Sequence, residues 1–317
     1  MKREVSQGRI MENPPPSTPK ISVIVTTYKR EDLLKETLDS ILSQSFSDIE
    51  VIVVDNESNY DFQGLIQSFG DLRIRGLQHQ NHGVISINRN VALKLCRGQA
   101  IAFCDDDDIW LKEKLKKQWL VLENNPKIQL VATNLESFPN GTPNLLRLKA
   151  NRHLDYQDCL AAPLGRLRSS FIGYSSVLAR KSAVESAGRF DPSEELVSVE
   201  DYDFWLRLLS QSGPGLVLKE SLVRYRLHNS AIMQQGKVNK VDRLEAVYRR
   251  HLPSSRKVLN RLESKKAFFK AEENILSQVY RGQSSKGTIW GIEELSLVEK
   301  TLLQAKCLAH AFRSRGG

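Results

Sequence analysis

Ile21-Ser22-Val23-Ile24-Val25-Thr26-Thr27-Tyr28 is an uncharged run dominated by β-branched side chains. Such a run reads as a strand buried on both faces. From Glu31 to about Gln44 the apolar period lengthens. Leu34, Leu38, Ile41 and Leu42 fall on one helical face, and Glu31 and Asp32 sit where the helix dipole favours acids. A second buried strand, Glu50 to Val54, halts at Asp55-Asn56-Glu57-Ser58, which is turn chemistry. Val84 to Cys96 carries another helical pattern, and Gly98 leads into the strand Ala100 to Cys104. This alternation predicts an α/β fold with a mostly parallel mixed sheet flanked by helices. Ligands of such sheets bind outside the carboxyl ends of the strands. Here those ends are Thr26-Thr27-Tyr28, Asp55-Asn56 and Asp105 to Asp108.

The pattern is less regular beyond this half. Phe138 to Leu167, rich in Pro, Gly, Asn and Arg, predicts a long surface loop with short pieces of structure. Strand signals return at Ser175 to Ala179 and Leu222 to Leu227, with a helix over Asp201 to Ser210 between them. Residues 1–20 contain Pro14, Pro15, Pro16 and Pro19 and predict a disordered lead-in. The expected organisation is therefore that segment, a first half over 21–135, a second over 136–236 and a helical extension over 237–317. In the extension Leu295, Val298, Leu302, Ala305, Ala309 and Phe312 form one amphipathic stripe, and Leu259, Leu262, Phe269 and Leu276 another.

Charge separates the extension from the rest. Residues 1–236 hold 29 basic and 29 acidic side chains, whereas 237–317 hold 17 and 8, so the net charge of +9 belongs to the extension. A basic segment on a neutral body suggests an acidic partner such as an anionic membrane surface or a nucleic acid, or else a solvated helix face. Tyr248, Phe268, Phe269 and Tyr280 are explicable as core, so a nucleic-acid partner is not expected. Four scattered cysteines without C-x-x-C spacing suggest neither zinc nor a disulfide framework. With no signal-like apolar segment at the start and no run of the ~20 apolar residues that span a bilayer, the expected location is cytoplasmic, extending to the inner membrane face.

Asp105-Asp106-Asp107-Asp108 is the strongest chemical signal. In an extended segment Asp105 and Asp107 would project together. Adjacent carboxylates repel, and a cation relieves them; Mg²⁺-like ions use one or two carboxylates and complete their shell with water and phosphates. Asp108 has a second reading, as N-cap of a helix starting near Ile109. Glu200-Asp201 stand where a helix begins and read either as first-turn acids or as a general base. His228 reads as a metal ligand or an ordinary surface histidine. Phosphate-loop, dinucleotide, zinc-protease and serine-hydrolase signatures are absent from the sequence.

Taken in order, Ile21 to Tyr28, Val53 to Ser58, Asn81-His82-Gly83 with Arg89-Asn90, Phe103 to Trp110 and Glu200-Asp201 resemble the family 2 inverting glycosyltransferases over about residues 20–232. The resemblance implies a GT-A fold, a nucleotide-sugar donor (a UDP-sugar foremost), a divalent cation (Mn²⁺ or Mg²⁺) and a saccharide or lipid-linked acceptor. It implies nucleotide-sugar contacts from Thr26, Tyr28, Asp55, Asn56, Arg89, Asp105 and Asp106. It also implies metal contacts from Asp107 and His228, and a catalytic base in Asp201. Asn56 departs from the acid common in that family, which puts base identity in question. A nucleotidyltransferase and a non-catalytic scaffold retaining the fold are the alternatives, and an oligomer is compatible with the sequence.

Overall fold

The computed structural model describes residues 18–138, 150–161, 172–227, 237–252 and 260. Residues 1–17 of the predicted lead-in, His228, most of the long loop and both apolar stripes of the extension lie outside them. The chain divides into two compact units, Met1–Asn229 and Ser230–Gly317.

The first unit opens with β1 (Ile21–Thr27), α1 (Glu31–Leu42) and β2 (Ile49–Asp55). The strand residues are buried throughout, as the uninterrupted apolar runs require. α2 (Phe62–Ser68) and β3 (Ile74–Gln78) follow, in a stretch to which the sequence pattern assigns no element. Then come α3 (Ile85–Leu95), β4 (Ala100–Asp105), the two-residue β5 (Ile109–Trp110), α4 (Lys114–Asn124) and β6 (Leu130–Phe138). The unit continues with β7 (Arg152–Leu154), α5 (Tyr156–Ala161), β8 (Leu178–Arg180), α6 (Lys181–Ala187), α7 (Glu200–Ser212) and β9 (Gly215–Arg226). In the second unit α8 spans Lys237–His251.

One nine-stranded sheet runs β3-β2-β1-β4-β8-β6-β9-β5, with β7 also on β9. The β3-β2-β1-β4 half is parallel, as is the long β6–β9 pair. β8 runs antiparallel to both β4 and β6 and joins the two parallel parts. Position 135/136, where the two halves were expected to meet, lies within β6. Alternate residues of β1, β2 and β4 (Val23, Val51 and Ala102 among them) pack with Leu34, Leu38 and Ile41 of α1 and with Leu115 and Leu122 of α4. From β4, Phe103 meets a group of aromatic rings: Tyr174 at 5.4 Å, Phe190 at 6.1 Å and Trp205 at 5.1 Å between centroids.

Three local readings need correction. Asp108 caps no helix: Ile109 and Trp110 pair antiparallel with β9, and α4 begins at Lys114. Its Oδ1 instead accepts from the Arg226 backbone N–H at 3.1 Å. Ser175 and Ser176 lie in a 3₁₀ turn before β8. Ser175 serves the end of β4, its Oγ accepting from Asp105 N–H at 3.0 Å and its carbonyl from Trp110 Nε1–H at 2.9 Å. β9 begins seven residues before Leu222 and continues through polar Lys219-Glu220-Ser221. Extra residues of β9 bulge opposite Thr133–Leu135 of β6, where Asn134 Nδ2 donates to Lys219 O at 2.6 Å.

The approach of α3's end to β1 sets a stringent local constraint. Gly98 N–H donates to Ser22 Oγ at 2.8 Å, and a Cβ on Gly98 would stand 2.5 Å from the Ser22 backbone nitrogen. Backbone on both sides leaves nothing flexible to yield. Gly98→Ala is expected to destabilise the protein by ~1–3 kcal/mol, read as a lowered denaturation midpoint; an unchanged midpoint would show that the β1 edge gives way.

Candidate active site

Register aligns the expected site. Thr27 pairs with Asp55 on one side of β1, and Thr26 pairs with Asp105 on the other. Strands stand about 4.8 Å apart, so Asp55 and Asp105 flank the carboxyl end of β1 at roughly 10 Å.

On the β2 side, Asp55 is fully buried. Its carboxylate accepts from Ser58 N–H at 2.8 Å, from the Ser58 hydroxyl and from Gln78 Nε2 at 3.1 Å. Asn56 Oδ1 accepts from Asn81 N–H at 2.7 Å. The amide oxygen at the departure from the family pattern thus holds the Asn81-His82-Gly83 turn. Tyr28 is 48 % exposed, with Lys29 Nζ 4.9 Å from its ring centroid. Thr26 Oγ1 is buried and finds no partner among the described residues.

On the β4 side the four aspartates form a turn, so they do not alternate as an extended segment would. Arg30 Nη1 lies 2.9 Å from Asp106 Oδ1 and 2.7 Å from Asp107 Oδ2. Asp106 also accepts from Thr27 Oγ1 at 2.7 Å. Arg226 Nε–H donates to Asp107 O at 2.9 Å, and Thr37 Oγ1–H to Asp108 O at 3.0 Å. Burial pushes the Asp105 carboxyl up to about 7; Arg89 opposes this, and Asp107, Asp106 and Asp201 add to it. Burial likewise raises Asp106, against the pull of Arg30. Asp108 stands well above the usual carboxylate range through burial and its neighbours Asp105 and Asp107.

Arg89, expected near the nucleotide, is buried as a strut. Its Nη1 donates to Glu200 Oε1 at 2.6 Å and its Nη2 to Asp105 Oδ1 at 3.2 Å. The guanidinium lies 3.6 Å from the centroid of the Tyr174 ring. It thereby ties the start of α7, and with it Asp201, to the acidic turn. Glu200 is buried, whereas Asp201 is partly exposed and accepts from the Tyr202 N–H at 2.7 Å. Sequence reasoning misses Arg30, Arg226 and Ser175, which meet the turn from 50 or more residues away in the chain. It also misses Lys114. This fully buried lysine donates to Gln118 Oε1 at 2.9 Å, lies 3.7 Å from the Trp110 ring centroid, and is pushed down to about 7 by burial.

A mostly parallel mixed sheet whose strand ends present an acidic turn beside a second acid pair matches the GT-A architecture that the resemblance implies. The family 2 glycosyl transferase profile matches residues 22–184, and the chain belongs to that family. It is 28% identical over 222 residues to an uncharacterized glycosyltransferase, MJ1057, of Methanocaldococcus jannaschii, covering 67% of this chain and 72% of the relative. It is likewise 28% identical over 214 residues to the Escherichia coli UDP-Glc:alpha-D-GlcNAc-diphosphoundecaprenol beta-1,3-glucosyltransferase WfgD, covering 67% of this chain and 79% of the relative. Among solved structures, Staphylococcus aureus TarS 1–349 in complex with UDP superposes with a TM-score of 0.59 at 21% identity, covering 89% of this chain and 77% of that one. The mannosyltransferase PcManGT of Pyrobaculum calidifontis, in complex with GDP-Man and Mn²⁺, gives 0.60 at 16% identity, covering 99% and 91%.

Two outcomes follow from this electrostatic arrangement. Arg89→Met strands a buried Glu200 carboxylate and is expected to cost ~3–5 kcal/mol of stability, while adding Glu200→Met recovers at least ~2 kcal/mol. Additive losses in denaturant titrations would show that the pair is not coupled. Asp105 binds its proton more tightly folded than unfolded, where its carboxyl titrates near ~3.9. Its contribution therefore favours the folded state less and less as pH rises from about 4 to about 7. In chelator, melting temperature should fall across the upper part of that window, and Asp105→Asn should flatten the slope. Parallel slopes for the two proteins would assign the effect elsewhere.

Proposed function

We propose that this protein is an inverting glycosyltransferase that moves a sugar from a nucleotide-diphosphate donor to an acceptor hydroxyl in glycoconjugate or surface-polysaccharide synthesis. The observation that carries the reading is the Arg89 strut, which joins the Glu200-Asp201 pair to the acidic turn across 111 residues of chain. Asp201 accepts the hydroxyl proton as the acceptor oxygen attacks the anomeric carbon. The new C–O bond forms on the face opposite the departing diphosphate, whose bond to that carbon breaks, so no covalent intermediate is needed. Glu200, buried against Arg89, orients the first turn of α7.

Among the described residues no three acidic, histidine or cysteine side chains are grouped to hold a metal ion, so a divalent cation here would take ligands from the donor as well as from the acidic turn. The turn crowds hard oxygen donors, burial raises Asp105 and Asp106, and an arginine nitrogen already stands between Asp106 and Asp107 as a positive charge. Asp107 would hold the ion, with Asp105 and Asp106 beside it toward the ribose and phosphates; His228, outside the described residues, is the second expected ligand. Mn²⁺ or Mg²⁺, when bound, supplies charge stabilisation for the leaving diphosphate. Thr26 and Tyr28 face the nucleotide, and Asp55 and Asn56 shape the turn that borders the base.

The UDP complex of TarS and the GDP-Man and Mn²⁺ complex of PcManGT support a nucleotide-sugar donor and a metal. The lipid-linked acceptor named for WfgD supports a lipid-linked saccharide here, with UDP-sugars the first donors to test. Among the described residues no helix is long and apolar enough to cross a membrane. The surplus of nine positive charges in residues 237–317 suits peripheral contact with anionic lipid at the cytoplasmic face, where each basic residue near the surface contributes ~1 kcal/mol.

The test is Asp201→Asn, assayed across UDP- and GDP-sugars with Mn²⁺. Transfer should drop ~10²-fold or more while donor affinity stays nearly constant, because a base acts in the chemical step. In a merely structural role the amide oxygen of asparagine can accept the same Tyr202 N–H as the carboxylate does. Turnover that survives the change would therefore leave Asp201 a helix-start acid only.

A further inference from the structure

Arg30 is placed with unusual constraint for a side chain at a helix entrance. Lys29 before it adopts φ 54°, a left-handed conformation that costs a non-glycine residue roughly 1–2 kcal/mol. Its N–H is fixed on Ser58 Oγ at 2.7 Å. This bend brings the chain out of β1 and sets Arg30 at the N-cap position of α1. From there Nη1 reaches Asp106 and Asp107 together. The two carboxylates differ in their other surroundings. Asp106 is only 6% exposed and is also held by Thr27, whereas Asp107 is 14% exposed and Arg30 24%. Asp107 is thus the more solvent-accessible of the two carboxylates that Arg30 meets, while Thr27 also holds Asp106. Asp105 has its own guanidinium in Arg89.

We propose that Arg30 is a positioning residue that competes with the divalent cation for Asp107 and yields it when the donor's diphosphate arrives, so that cation binding depends on donor. The inference rests on the metal-dependent reading above. A guanidinium keeps its charge at any working pH, so it leaves a carboxylate readily only for another anion. Without donor, an incoming ion meets a positive charge already seated between its carboxylates. With donor, the planar guanidinium turns to phosphate oxygens, which it matches in geometry, and Asp107 is released to the metal. A merely structural Arg30 predicts the reverse. Its removal would then increase repulsion in the turn, loosen it and weaken any ion site.

The opposite signs make the experiment decisive. Mn²⁺ alone is titrated into the full chain of wild type, Arg30→Gln and Arg30→Lys, following the paramagnetic resonance of free Mn²⁺, with melting curves to confirm folding. Arg30→Gln is expected to bind Mn²⁺ ~10-fold or more tightly than wild type in the absence of nucleotide. Arg30→Lys, which keeps the charge, stays near wild type. Adding UDP should tighten Mn²⁺ binding much more in wild type than in Arg30→Gln, since the coupling runs through the arginine. Equal or weaker Mn²⁺ binding by folded Arg30→Gln overturns the proposal while leaving the metal reading intact. Should that variant not fold, Mn²⁺ affinity of wild type unchanged by UDP overturns it as well. If neither protein binds Mn²⁺ with or without UDP, the metal reading itself falls, and this proposal with it.

Discussion

Four carboxylates on consecutive residues at the end of one strand are the constraint around which this protein is arranged. Like charges held that close cannot all be ionised in a low-dielectric site without counter-charge. The chain supplies it from separate elements: Arg89 in α3, Arg30 at the entrance to α1, and Arg226 at the end of β9, whose guanidinium reaches the backbone of Asp107 and Glu36 of α1. Thr27, Ser175 and Thr37 add hydrogen bonds to side chain or backbone of the turn. The turn accordingly pins the parallel half of the sheet to β9 and to α7, which lie far away in sequence.

The surroundings strengthen these pairs. Arg89 rests on the Tyr174 ring, and Phe103, Phe190, Phe204 and Trp205 close the space beside it with ring centroids 4.2–6.3 Å apart. Excluding water raises the energy of every charge interaction there, favourable or not. Rigid placement of the acid pair at the head of α7 thus depends on an aromatic core, and the same core makes an unpaired Glu200 costly. Lys114, buried against the Trp110 ring, is tolerated for a related reason: burial lowers its proton affinity, so it need not carry a full charge.

β1, β2 and β4, the buried face of α1 and the presence of α3 and α7 were legible because burial imposes a local period. β1, β2 and β4 read as continuous apolar runs, and α1 as a stripe recurring every three to four residues. Glu200 and Asp201 were legible by their place at a helix start. α2 and β3 were not, since their few residues alternate weakly and β3 is held as the edge strand by pairing with β2. Ser175 was read as strand because it sits beside Val177 and Leu178 in a β-like run, and only the need of Asp105 and Trp110 for hydrogen-bond partners draws it out.

The order of motifs by itself determined an α/β chain with acids grouped at strand ends, and its resemblance pointed to the family whose profile matches residues 22–184. Tertiary structure alone decided which cation answers each acid. Arg89 pairs with a residue 111 positions away, and Arg30 with residues 76 and 77 positions away. Such pairing follows from the sheet register that sets Thr26 beside Asp105 and Thr27 beside Asp55. Ion pairs between distant segments leave no periodic trace in either segment, because an arginine in a helix or at its entrance reads the same whether it faces water or a buried carboxylate.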